Sequence, residues 1–301
     1  YDHEVQGGSI VKPQCGVQAD APSDGAVLKP RYDSWQGITV THGICPRRSD
    51  EDTYGMAVAA VDEAVRAHVA LGGDPDRMAA LDNFCWPDPV LSESTPDGPY
   101  KMAQLVRACR GLAESCRAYE LPLISGKDSM KNDARMGGRK VSIRPTLLIS
   151  LTGIVPDVRR AMTTELKQPG DRLLILGPAA TALGAAGSAE EAPGTASTGA
   201  PAATPPATAP AGDDLAASMA LYRRVHRAIA AGLVASVHDV SEGGAAVAIA
   251  ESAIGGRLGA RIHLGGAAQA DALFAEPLGS FVVSCPASRL AELTLLLADS
   301  R

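Results

Sequence analysis

Two stretches set reactive residue types at spacings that suit phosphate chemistry. Residues 121–133, LPLISGKDSMKND, place Gly126 between an apolar run and the polar series Lys127, Asp128 and Ser129. A glycine there lets the backbone turn and come close to a ligand, and the adjoining lysine offers positive charge to a phosphate. The spacing excludes a Walker A loop, because Leu121 stands where the first glycine belongs and Asp128 follows the lysine. A plain polar β-turn leading off a strand fits the same pattern. In the second stretch, HDVSEGG from His238 to Gly244, a short apolar run ends in Asp239, Ser241 and Glu242. Amide N–H groups at the start of a following helix favour phosphate oxygens, and Asp239 and Glu242 can share a cation that bridges to them. An acidic N-cap with two glycines for close helix packing fits equally well. His238 alone reads as a satisfied hydrogen-bonding residue.

The elements that must hold these stretches follow from periodicity. Valines 58, 61, 65 and 69 recur at helical spacing and Gly72-Gly73 supply a stop, so a helix is expected over about 54–71. Asp62 and Glu63 lie off that stripe, where a solvated helix face is the ordinary explanation and a metal-holding role the special one. A strand from Met78 to Leu81 is expected to run out at Asp82-Asn83, the kind of strand end where α/β proteins place ligands. A second helix over about 100–119 carries Met102, Leu105, Val106, Cys109, Leu112, Ala113 and Cys116 on one face, which reads as core. Residues 26–29 and 37–41 are short strand candidates, with Asp24 just before the first. Residues 121–124 read as a buried strand. Thr146 to Thr152 is near-continuously apolar and reads as a strand buried on both faces, and 171–177 opens another. A helix over about 215–231, a strand over 233–237, a helix over about 245–254 and a final strand over 281–285 follow.

Residues 1–25 are turn-rich and read as a connection from a preceding segment, and the C-terminus reads as cut short. Residues 178–212 are mostly Ala, Pro, Thr, Gly and Ser, too poor in apolar surface to offset the entropy of ordering, so a disordered insertion is expected. The chain has 301 residues, a net charge of −6 and 46% hydrophobic residues, enough for one large or two medium cores. The acidic balance and the lack of a basic run with interleaved aromatics argue against nucleic acid. No apolar run has the length of a membrane span and no signal peptide opens the chain, so a cytoplasmic location is expected. Six cysteines without a C-x-x-C pair point to neither zinc nor disulfides.

Together, GKDSMKND, PTLLISLTGIVPDV, LGAAGS near position 185 and GLVASVHDVSEGGAAVAIAESAIGGRLG resemble the second half of phosphoribosylformylglycinamidine synthase. YDHEVQGGSIVKP resembles that family's linker into this half, AVAAVDEAVRAHVALGGDP its nucleotide-site helix, and LFAEPLGSFVVS its final strand motif. The resemblance implies an α/β (α+β) unit similar to aminoimidazole ribonucleotide synthetase, with 1–25 as linker, 26–160 as an N-terminal-type and 161–301 as a C-terminal-type synthetase domain. It also implies a ligase of purine biosynthesis that uses ATP, Mg2+ and glutamine-derived ammonia to convert formylglycinamide ribonucleotide to the amidine. The γ-phosphoryl group would activate the amide oxygen and ammonia would displace it, so catalysis is mainly positioning and charge neutralisation.

Carried over by resemblance, Asp24, Glu63 and Asp239 are metal positions. Asp82, Gly126, Lys127 and Ser241 are ATP contacts, and Ser129 contacts the sugar phosphate. Lys127 stands where smaller members carry an Asn ligand, and an ammonium cannot ligate Mg2+, so it is expected on phosphate directly. Ala67 stands where larger members have another Asn ligand. No catalytic residue is assigned, because the family's catalytic histidine motif lies in its first half. No G-x-C-x-G elbow exists, so ammonia must come from a glutaminase domain or subunit, and an N-terminal synthetase half is a required partner. The alternatives are a half that holds a nucleotide structurally, or another ATP-dependent enzyme of the same fold.

Overall fold

The computed structural model describes residues 8–179, 212–262 and 270–298. The first unit runs through β1 (Ser9–Val11), the hairpin of β2 (Gln14–Cys15) and β3 (Ala21–Pro22), β4 (Ala26–Leu28), β5 (Gly37–Ile44), α1 (Thr53–Ala70), β6 (Met78–Cys85), α2 (Gly98–Ala118), β7 (Leu123–Ser129), the hairpin of β8 (Asp133–Met136) and β9 (Arg139–Ser142), and β10 (Thr146–Val155). Six strands form one sheet in the order β1-β4-β5-β10-β6-β7. All its neighbours pair antiparallel except β6 and β7, which are parallel. The second unit contains β11 (Arg172–Leu176), α3 (Gly212–Ala230), β12 (Ser236–Asp239), α4 (Gly244–Gly256), β13 (Phe281–Cys285) and, at its end, α5 (Leu290–Ala298). Its antiparallel sheet runs β11-β13-β12.

Helix α1 organises both units. Asp52 caps it, accepting the Tyr54 N–H at 3.1 Å, and Gly72 at φ +92° ends it. It presses directly onto β5, since a Cβ on Gly43 would collide with the Ala60 carbonyl oxygen. Fifteen of its eighteen residues are buried, because α2 and the first sheet cover one side and elements of the second unit cover the other. One continuous apolar core therefore runs from Val58, Val65 and Ile149 through Tyr222 and Ile229 to Phe281 and Leu293. The expected solvated face carrying Asp62 and Glu63 does not exist. The sequence signal was the alanine set opposite the valines, at 57, 60, 64 and 67, which makes the helix apolar nearly all round.

Other expectations are corrected in the same way. Strand β10 is buried on one face only: Leu147, Ile149, Leu151 and Val155 face the helices, while Leu148, Ser150 and Thr152 are half-buried on a face that no described element covers. Val40, Ile44 and Leu81 are exposed on that open face. Strand β7 is an exposed edge strand, not a buried one, and it continues through Gly126 to Ser129 with no turn at the glycine. Likewise β6 does not stop at Asp82 but runs on to Cys85. On α2 the buried side is Ala108, Leu112 and Ser115, whereas Met102, Val106 and Cys109 are exposed. The segment read as a connection is built into the fold from Ser9 onward: β1 extends the sheet, and Val17 donates to the Gly255 carbonyl of α4 at 2.9 Å. Of the expected insertion at 178–212, residues 180–211 lie outside the described residues, while Ala179 is buried, its N–H donating to the Ser280 hydroxyl at 2.9 Å, and Gly212 begins α3. No helix among the described residues is long and apolar enough to cross a membrane.

Candidate functional site

Strand β12 is buried along its whole length and delivers His238 and Asp239 to the junction of the two units. Gly243, at φ +86°, turns the chain into α4. From the first unit, Asp24 reaches the same point, held just ahead of β4. Asp24 Oδ1 accepts from His238 Nδ1 at 2.5 Å, and Glu251 on α4 accepts from Nε2 at 3.0 Å. With a carboxylate on each nitrogen the ring carries both protons. Burial alone would lower the imidazole, but Asp24 and Glu251 hold its pKa well above the ordinary value. Burial, with Asp239 close by, lifts Asp24 to about 7 against the pull of His238.

Ligand atoms of Asp24, His238 and Asp239 all lie within 4.8 Å of one another. Asp24 Oδ2 is buried with no hydrogen-bond partner. Two carboxylates, one with an orphaned buried oxygen, suit a divalent cation, so Asp24 and Asp239 fit the metal that the resemblance implies, while the doubly protonated His238 orients Asp24 and is not itself a ligand. Glu63 stands beside them, its Oε2 accepting the Ile44 N–H at 2.9 Å and the Cys45 thiol at 3.3 Å. Burial, with Asp239 adding, raises the Glu63 pKa, and burial with Glu63 raises Cys45, which makes that thiol a poor nucleophile.

Next to this cluster lies a cavity of about 520 Å3 lined by Arg47, Arg48, Glu63, Arg66, Ser241 and Glu242, among others. Its volume is in the range of small-molecule sites. Arg47 pairs with Glu242 at 3.0 Å, and Glu276 Oε1 accepts the Gly243 N–H at 2.9 Å. A larger cavity of about 660 Å3, beside Arg172, Ile249 and Arg261, holds none of the predicted residues. The smaller cavity is the one lined by the predicted residues Glu63 and Ser241.

The eight predicted site residues fall into two groups. Asp24, Glu63, Asp239 and Ser241 gather at the unit junction. Asp82, Gly126, Lys127 and Ser129 sit on β6 and β7, three and four strands across the sheet from β4, or roughly 14 and 19 Å at the usual strand spacing. Within this second group the register sets Gly126 opposite Asp82, and a Cβ at 126 would meet the Asp82 carboxylate, which would have to swing aside. Lys127 and Ser129, hydrogen-bonded to each other, share one face of β7, and Asp128 shares the other with Gly126 and Asp82. Burial, with Asp128 nearby, raises the Asp82 pKa.

Sequence reasoning missed Asp62 and Arg66. Asp62 is fully buried and accepts from the Tyr119 hydroxyl, the Tyr222 hydroxyl at 2.5 Å, the Gly279 N–H at 3.1 Å and Arg66. Arg66 also donates to Asp239 Oδ2 and to the Val240 carbonyl, each at 3.2 Å. The i,i+4 spacing of Asp62 and Arg66 was visible, but it normally marks a surface pair.

Residues 22–155 match the family "AIR synthase related protein, N-terminal domain", and residues 168–300 match "AIR synthase related protein, C-terminal domain". The chain is 34% identical to the phosphoribosylformylglycinamidine synthase subunit PurL of Parasynechococcus marenigrum, across 100% of this chain and 38% of that protein. It therefore spans well under half the length of that curated relative. Among solved structures, T. maritima PurL complexed with ADP superposes with a TM-score of 0.63 at 15% identity, covering 96% of this chain and 41% of that one. T. maritima PurL complexed with FGAR gives a TM-score of 0.62 at 15% identity over 96% of this chain and 43% of that one. With the two domain families matched in order along nearly its whole length, the chain belongs to the AIR synthase related protein family.

Proposed function

We propose that this chain is the second half of the synthetase part of an ATP-dependent phosphoribosylformylglycinamidine synthase, working in the cytoplasm on formylglycinamide ribonucleotide. The observation that carries this reading is the full-length 34% identity to a PurL subunit of more than twice its length. Two structural features support it. One is the open face of the six-stranded sheet, with Val40, Ile44 and Leu81 exposed beside Lys127, a surface suited to the sheet of an N-terminal synthetase half. Lys127 and Ser129 then contribute to a substrate phosphate subsite at that junction. The other is the cavity beside Asp239, lined by Ser241, where Arg47 and Arg48 offer cationic groups to nucleotide phosphates.

Asp24 and Asp239 would hold a divalent cation such as Mg2+, with Glu63 alongside and His238 orienting Asp24. When bound, that ion neutralises phosphate charge. Glu251 keeps the His238 ring fixed, and Ser241 lies at the phosphate end of the cavity. Ammonia is supplied by a glutaminase domain or subunit, since the buried Cys45 lacks a nucleophile's setting.

The separation of the two residue groups favours a second reading for the cavity alone: a nucleotide held there serves structure, while turnover uses the sheet-face site. One reconstitution tests the main reading. The full chain is mixed with its N-terminal half, ammonium, FGAR and Mg-ATP, and amidine and ADP are followed. Lys127→Ala should raise the FGAR requirement at least about tenfold, as expected for the loss of a charge-assisted phosphate contact. A reconstituted complex that makes no amidine refutes the synthetase reading. Turnover unaffected by Asp239→Asn would assign the cavity nucleotide a structural role.

A further inference from the structure

We propose that Arg66 is a positioning residue: it fixes the Asp239 carboxylate and the turn after it, and is itself anchored by Asp62. The inference rests on reading Asp24 and Asp239, beside His238, as the cation cradle. Arg66 is 2% exposed, and its two terminal nitrogens have different partners. One meets Asp62; the other meets Asp239 Oδ2 and the Val240 carbonyl. A guanidinium is planar and rigid, so fixing one nitrogen fixes the direction of the other.

The anchor is unusually well held. Asp62 takes hydrogen bonds from the C-terminal cap of α2 (Tyr119), from α3 (Tyr222) and from the loop before β13 (Gly279). Those donors span both units, so the carboxylate cannot rotate without breaking contacts in each. Asp239 has its Oδ2 committed to Arg66, which leaves Oδ1 on the side of His238, 3.8 Å from Nδ1. The orientation of Asp239 towards the cradle is thus set from the unit interface. Asp62 and Arg66 touch no cradle atom other than Asp239, which separates their role from that of a ligand. Outer partners of this kind govern cation affinity through orientation, and their loss usually costs ten- to a hundredfold.

The test uses the full chain freed of metal, Mn2+ as the probe, and two variants. Arg66→Lys keeps the charge but loses the fork. Tyr222→Phe removes a donor to the same Asp62 while leaving Arg66 and Asp239 in place. Mn2+ affinity is read by electron paramagnetic resonance, the His238 ring nitrogens by NMR in metal-free protein, and stability by thermal melting. The expected result is a loss of Mn2+ affinity of roughly tenfold or more in Arg66→Lys with displaced His238 signals, against an unchanged affinity and a lower Tm in Tyr222→Phe. If Arg66→Lys keeps both the affinity and the His238 signals, the proposal is overturned. It is equally overturned if both variants lose affinity in step with Tm. Wild-type protein that takes up no Mn2+, while Arg66→Lys still displaces the His238 signals, would leave the positioning role standing and remove the cation reading. Asp62→Asn, which weakens the anchor and leaves Arg66 in place, gives the same comparison should the lysine variant not fold.

Discussion

Acidification should weaken this protein through a buried histidine that is not part of the cation cradle. His68 lies in α1 with Nε2 3.0 Å from the Asp74 carbonyl and Nδ1 2.6 Å from the Thr39 hydroxyl. A carbonyl only accepts, so Nε2 carries the ring proton and Nδ1 accepts from Thr39. The ring fills the space over Gly73 and Gly153, where any Cβ would collide with it. Burial depresses its pKa from 6.5 to about 4, outweighing the bond to Asp74. A depressed folded-state pKa means that the unfolded chain takes the proton first. The stability of the neutral ring is therefore complete above pH 6.5 and is lost as pH falls towards 4. The gap of about 2.5 pH units, at about 1.4 kcal/mol each, sets a full loss of about 3.5 kcal/mol.

Urea unfolding at steps from pH 7.5 to 4.5 measures it, with His68→Gln as the reference, since glutamine keeps a donor and an acceptor but does not titrate. Wild type should lose about 2.5 kcal/mol more than the variant over that interval, and the contributions of the carboxylates cancel in the difference. Parallel curves for the two proteins would refute the reasoning, because they would mean that His68 is protonated with equal ease in both states.

Asp62→Ala should cost about 3–5 kcal/mol in urea unfolding, since it strands the buried Arg66 and two tyrosine hydroxyls; a loss under about 1 kcal/mol would mean that the network closes over the gap. Gly43→Ala should lower stability by about 3 kcal/mol or more, because the new methyl meets the backbone of α1 at Ala60 and no flexible side chain can yield; circular dichroism melting reads it.

Much of the architecture was legible in the chain because it rests on local rules. The β-branched run at 38–41, the valine stripe of α1 closed by Gly72, and the strand, turn and helix around HDVSEGG each came from residue type and spacing, and the structure differs mainly at the ends of these elements. The resemblance pointed to Asp24, Glu63, Asp239 and Ser241 as parts of one nucleotide site together with Asp82, Gly126 and Lys127; the first four gather at the unit junction, and the other three lie apart on β6 and β7. What the chain could not declare is which faces are covered. Strand β10 reads as buried twice over, yet one side is open. Helix α1 reads as half solvated, yet it is enclosed. Burial belongs to the neighbours an element acquires, and those come from distant sequence. For the same reason Gly126 was expected to turn the chain, whereas it lies opposite Asp82, a pairing fixed only by the register of β6 and β7. The division of the candidate residues into two places, and the linkage of Asp239 through Arg66 to Asp62, also exist only in three dimensions. Composition and spacing determine which chemistry is carried; packing alone decides which carboxylates lose water and thereby become part of a site.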